Sequence, residues 1–109
     1  MTAYLLVRAE VEKESREGFD QWYQNEHLPS ALEEFSDSIG AWRAWSDVEE
    51  GIHLAFYEFE NLENAHKILG SDLMKEFIKE FDRNWLGKVT RTRDIFEVKQ
   101  KLERSAIKK

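Results

Sequence analysis

No cysteine occurs among the 109 residues. Disulfides, thiolate nucleophiles and Cys-ligated zinc or iron–sulfur centres are therefore all excluded. Long apolar runs are missing as well. Nothing approaches the ~18 apolar residues of a membrane-spanning helix, and residues 1–11 lack the apolar stretch and cleavage pattern of a signal peptide. No membrane partner is expected, and the expected compartment is the cytoplasm. Positive charge is scarce: 16 Lys and Arg stand against 22 Asp and Glu, a net charge of −6. Nucleic acids and anionic membranes are bound through a positive footprint, so no nucleic-acid partner is expected either. The basic stretch Lys99 to Lys109, with Lys101, Arg104, Lys108 and Lys109, reads as a solvated tail behind a single domain of residues 1–98.

What is present is a folded domain's composition. Hydrophobic residues make up 41% and aromatic residues 13%, more than a disordered chain carries. The length suits one compact domain. A domain this small leaves much of its surface exposed, and oligomerisation is a common source of further burial.

The organising stretch is Phe19-Asp20-Gln21-Trp22-Tyr23-Gln24-Asn25-Glu26-His27-Leu28-Pro29. Phe19, Trp22 and Tyr23 fall at i, i+3 and i+4 and share one helix face. The next turn should bring two more apolar residues, but positions 26 and 27 are Glu and His. At 100° per residue Glu26 sits near the centre of the stripe and His27 towards its edge. A polar pair on an apolar face has to be hydrogen-bonded, exposed or functional. Pro29, the only proline, pushes Leu28 out of the helical region, so the helix is expected to end near His27. A second short turn, Ser30 to Phe35, follows with Ala31, Leu32 and Phe35 inward.

Around this stretch the pattern alternates between strands and helices. Residues 3–11 form a strand apolar on both faces at Tyr4, Leu5, Leu6 and Val7. Ser15 is a plausible N-cap for the first helix. Two further strands, Ile39 to Ser46 and Ile52 to Glu60, flank a hairpin loop ending at Gly51. Asn61 caps a short helix ending at Gly70. Ser71 or Asp72 caps a longer one whose stripe is Met74, Phe77, Ile78, Phe81 and Trp85, with Gly87 just past its end. The last strand spans about Val89 to Val98. The β-α-β-β-α-β order predicts an α+β, ferredoxin-like plait: a four-stranded antiparallel sheet with both helices on one face. The other face is also apolar and requires a partner, for which a second copy of the sheet is the first choice.

The residues Tyr4-Leu-Leu-Val7, Phe19-x-x-Trp-Tyr-x-x-Glu-His-Leu-Pro29, Ala41-Trp-Arg43, and Phe81-Asp-Arg-Asn-Trp85 before Val89-Thr-Arg-Thr-Arg93 carry a family resemblance. Across residues 3–98 the chain resembles the dimeric α+β barrel superfamily, in the group around the EthD-like and antibiotic-biosynthesis monooxygenase-like proteins. The resemblance implies a homodimer with two sheets packed back to back and a cleft between each sheet and its helices. It also implies one of several chemistries: cofactor-free monooxygenase, lactone isomerase, polyketide cyclase, haem handling or ligand sensing. A histidine near the end of the first helix often faces the cleft in such proteins; that position is His27, with Glu26 and Tyr23 beside it.

These residues define the candidate site. His27 reads either as a general acid or base or as a helix C-cap. Glu26 reads either as its companion or as the partner of an arginine such as Arg43. Trp22, Trp42, Phe56 and Trp85 read as a cleft for an aromatic ligand or as plain core. Arg43 is read first as an ion pair with Glu26 or Glu58, and second as the holder of a ligand carboxylate. His53 can line either sheet face, and His66 is expected to be exposed. No metal is expected, because the His and carboxylate spacing matches no metal motif, and no cofactor motif is present. The expected activity is a cofactor-independent enzyme acting on an aromatic or lactone-like metabolite through His27, with Tyr23 and Glu26 orienting the reactants. The alternative is a non-catalytic small-molecule-binding or accessory module of the same fold.

Overall fold

The computed structural model describes residues 1–106. Strand β1 (Ala3–Val11) leads through a 3₁₀ turn at Lys13–Ser15 into helix α1 (Arg16–Trp22), a π-helical turn at Tyr23–His27 and helix α2 (Leu28–Glu34). Strands β2 (Ser38–Trp45) and β3 (Ile52–Phe59) follow, then helices α3 (Leu62–Leu69) and α4 (Asp72–Trp85), and strand β4 (Val89–Glu97). The four strands are antiparallel in the order β2-β3-β1-β4, the ferredoxin-like α+β arrangement expected from the element order. Among the described residues no helix is long and apolar enough to cross a membrane. Residues 107–109 of the basic tail lie outside the described residues.

Period-two alternation decides what each strand presents to the helices. Ala3, Leu5, Ala9 and Val11 of β1 and Ala55, Tyr57 and Phe59 of β3 are buried on that side, packed with Phe19, Tyr23, Ala31, Phe35, Met74 and Phe81. The register Leu5↔Tyr57 and Leu5↔Ile95 places all three strands in one phase. The opposite face carries Tyr4, Trp42, Phe56 and Phe96 as one aromatic cluster. Tyr4 meets Trp42 edge-on at 5.3 Å, and Trp42 stacks on Phe56 at 5.6 Å. That is the uncovered apolar face anticipated from β1 and β3.

Local signals hold at most element ends. Asn61 Oδ1 accepts from the Asn64 N–H at 2.8 Å, and Ser71 Oγ from the Met74 N–H at 3.1 Å, so each caps its helix. Gly51 and Gly87 both adopt φ near 81°, where only glycine is comfortable. Ser15 makes no cap bond; its hydroxyl donates to Glu12 instead.

The first helix departs from expectation. It does not stop before Pro29: Leu28 is helical (φ −67°, ψ −46°), and its N–H donates to the Tyr23 carbonyl five residues back. Pro29 has no N–H, and its ring crowds the carbonyl four residues earlier. Widening the preceding turn by one residue relieves that conflict and lets the chain run on into α2 with Pro29 in its first turn. Leu32, expected to face inward, is exposed, while Ala31 and Phe35 are buried.

Candidate active site at the π turn

The wider turn re-phases the helix face. In a regular α-helix residues five apart point about 140° away from each other, yet here the Trp22 and His27 rings stack at 4.4 Å and 20°. His27 thereby takes the inward position that the periodicity assigned to Glu26, and Glu26 turns out to solvent. This corrects the mid-stripe placement of Glu26. The cause is a single π-type hydrogen bond, and such bulges recur at functional sites.

His27 is enclosed by aromatic rings: Trp22 on its face, Tyr23 edge-on at 4.8 Å, Phe77 at 5.6 Å and Phe81 at 5.9 Å. Burial first, and then the positive field of Arg91, lower its pKa to about 4. The imidazole is therefore neutral at physiological pH. It lines two spaces. Outside it lies an open groove of about 490 Å³ between the π turn, α2 and α4, walled by Trp22, Leu73 and Phe77 and rimmed by Glu26, Glu34, Glu76 and Glu80. Inside lies a cavity of about 30 Å³ between helices and sheet, which Tyr23, Tyr57, Phe77, Phe81, Arg91 and Arg93 line with it. His27 and Phe77 border both, so the two spaces meet at these residues.

The cavity's polar groups are mostly donors, and only the neutral imidazole and two tyrosine hydroxyls can also accept. Burial pushes the Tyr23 hydroxyl up to about 12 and that of its neighbour Tyr57 well above its usual range. Both keep their protons. Arg91 lies over the Phe81 ring at 3.6 Å, pairs with Asp82 at 3.5 Å, and has only 10% of its side chain exposed. Arg93 is two positions along β4 on the same face, opposite Val7 of β1. Burial lowers both arginines below their ordinary value. Neither was singled out as a site residue from the sequence, although β4 alternates Val89, Arg91, Arg93 and Ile95 inward against Thr90, Thr92, Asp94 and Phe96 outward. Two cations on the inward phase of a strand were the available signal.

The structure gathers some of the expected residues and scatters others. Trp22, Glu26 and His27 line the groove, and Tyr23 lines the inner cavity. Trp42 and Phe56 are not in the cleft: their strand phase puts them on the opposite sheet face, stacked on each other. Trp85 lies behind the site against Phe19 and Trp22, its indole N–H buried without a partner.

Arg43 does face the helices, but it pairs with Asp20 at 2.7 Å rather than with Glu26 or Glu58. Asp20 also accepts from the Trp45 indole at 2.7 Å, and these two hydrogen bonds, Trp45's the larger, hold its carboxyl below the usual range. His53, 1% exposed, completes this cluster 3.3 Å from Arg43; its pKa falls to about 4 through burial and then that guanidinium. Arg43 and His53 thus belong to a closed structural network beside the site. His66 is exposed. Among the described residues no three His, Asp or Glu side chains converge as a metal site.

No protein-family model matches the chain, and no curated protein does. Solved structures do. SnoaB, a cofactor-independent oxygenase from Streptomyces nogalater, matches in a variant form with TM-score 0.67 at 10% identity, covering 93% of this chain and 96% of that one. A Deinococcus radiodurans protein named provisionally as an antibiotic biosynthesis monooxygenase gives 0.67 at 14% identity, with 93% and 96% covered. An EthD family protein from Bacillus halodurans gives 0.65 at 17%, with 90% and 99% covered. At these identities the likeness is one of fold: the chain has the ferredoxin-like α+β fold of the antibiotic-biosynthesis monooxygenase and EthD structures.

Proposed function

We propose that the chain is a small cofactor-independent enzyme that acts on an aromatic or lactone-like metabolite by His27-assisted proton transfer, of the isomerase, cyclase or monooxygenase type. The observation that carries this reading is the neutral imidazole of His27 standing where the outer groove meets a donor-lined inner cavity. The oxygenase and monooxygenase names of the similar structures support the monooxygenase type.

A planar substrate fits the groove against Trp22 and Phe77, since the inner cavity of about 30 Å³ holds roughly two or three water-sized groups and admits no ring. His27 takes a proton from the acidic O–H or C–H of that substrate. With a pKa near 4 it is a weak base in the free protein. The field of Arg91 that disfavours imidazolium equally favours the substrate anion formed beside it, so the proton moves without a net change in local charge. Tyr23 keeps its proton throughout and serves as a donor, while Glu26, on the rim, touches only the body of a bound molecule. Two copies meeting through the Tyr4–Trp42–Phe56–Phe96 face complete the assembly in this reading.

The test is exchange of substrate protons with deuterated solvent, followed by NMR over a panel of phenols and unsaturated lactones, with oxygen uptake in parallel. His27→Ala should lower the rate about 10²- to 10⁴-fold; an unchanged rate on every accepted compound sinks the mechanism. A second reading, a non-catalytic binding module, draws on Glu26 facing solvent and predicts binding without exchange. Haem binding through an imidazole predicts a Soret band on haem titration.

A further inference from the structure

The inner cavity carries a second chemistry that proton transfer does not use. Arg91 is accounted for by Phe81 and Asp82. Arg93 is not. Among the described residues no carboxylate pairs with it, and its Nε is inaccessible and without a hydrogen-bond partner. Arg93 as a whole is half-buried and its guanidinium stays charged, but leaving its buried Nε–H without an acceptor is costly. The Asp82 carboxylate favours its charge from a distance but is already paired with Arg91, and the groups lining the cavity add no second carboxylate. Tyr23 and Tyr57 present hydroxyls, Arg91 a second guanidinium, and Leu5, Val7, Ile78 and Phe81 only carbon. Donors from three strands and helices converge on about 30 Å³, and no acceptor side chain shares that lining apart from the neutral imidazole and the two hydroxyls.

We propose that the inner cavity is an anion site in which Arg93, assisted by Arg91, holds the carboxylate or equivalent oxyanion head of a planar apolar acid. The body of that acid lies in the outer groove between Trp22 and Phe77. Size and charge both select this class. The cavity takes a head of two or three heavy atoms, and a guanidinium matches a carboxylate's two oxygens. The rim glutamates Glu26, Glu34, Glu76 and Glu80 disfavour any further negative charge on the body. The inference rests on the small-molecule reading above, but its test does not need turnover.

Benzoate is the probe, benzamide its neutral isostere, and sodium chloride at equal ionic strength the control. Calorimetric titration and thermal melting of the whole chain should show saturable benzoate binding at millimolar concentration, with benzamide at least about tenfold weaker. Arg93→Met should lower benzoate affinity about tenfold or more, and Arg93→Lys should lower it less. Without ligand, R93M should melt at or above the wild type, because an unsatisfied buried N–H has been removed. Equal binding of benzoate and benzamide, no saturable benzoate binding, undiminished affinity in R93M, or an R93M chain that melts lower or fails to fold would each overturn the proposal. Benzoate selectivity retained in His27→Phe with proton exchange unaffected leaves this site standing and removes the proton-transfer reading. Exchange lost in H27F with no benzoate selectivity in the wild type does the reverse.

Discussion

His27 shows how neighbours set the ionisation of one side chain. Its residue type alone is neutral between cap and catalyst. Four aromatic rings and a nearby guanidinium leave it uncharged, and that state is the one a base requires. The acid limb of kcat/KM for the free enzyme should therefore fall near pH 4 rather than near the ordinary imidazole value of about 6.5. A pH–rate profile whose activity halves near 6.5 would place the working group elsewhere. Arg93 is the complementary case, a half-buried cation whose inner N–H has no partner. Legibility at this scale was uneven. His27 stood out because it interrupted an apolar stripe, whereas Arg91 and Arg93 sat in a strand rich in charges, where only their phase distinguishes them. Trp42 and Phe56 failed as cleft residues for the same reason, because one step along a strand exchanges the faces of a sheet.

At the scale of elements, the π turn positions the site. Strand and helix extents followed closely from apolar periodicity and from caps such as Asn61 and Ser71. The turn did not, because hydrophobic periodicity assumes 3.6 residues per turn and has no mark for an inserted residue. Its cause was nevertheless written in the sequence as Pro29. Replacing Pro29 by Ala restores an N–H able to bond the Asn25 carbonyl, so α register competes with the π turn and His27 rotates toward solvent. We expect Pro29→Ala to keep the fold and to raise the His27 pKa from about 4 toward 6.5, as read by NMR titration of its ring protons. A value that stays near 4 would show that aromatic packing, and not proline, holds the turn.

Across the whole molecule, charge is segregated: an acidic surface with a net −6 encloses a cavity lined by arginines. Buried histidines add a pH dependence with a definite sign. His27 and His53 are both lowered to about 4, so between pH 4 and 6.5 the unfolded chain binds more protons than the folded one. Stability is then full above pH 6.5 and declines as pH falls through that window, by up to ~3 kcal/mol for each histidine. Asp20, held low by Trp45 and Arg43, adds its loss only at still lower pH. Denaturant titrations at pH 7, 5.5 and 4.5 should show this decline, and His27→Phe should flatten it; a pH-independent midpoint would refute it. The uncovered aromatic face predicts a homodimer at micromolar concentration by sedimentation, and Trp42→Glu, which puts a charge at its centre, should give monomers. A wild-type monomer under those conditions would mean that another partner covers the face.

The register slip between Ser38 and Gly40 in β2 bears on how such molecules avoid one another. Because β2 is an outer strand of the sheet, its free hydrogen-bonding side would otherwise be a template for a further strand. The slip breaks the regular spacing of donors and acceptors that an incoming strand would have to match. The other outer strand, β4, is studded with Arg91, Arg93 and Asp94. Uncontrolled growth into fibres is thereby discouraged at both borders of the sheet.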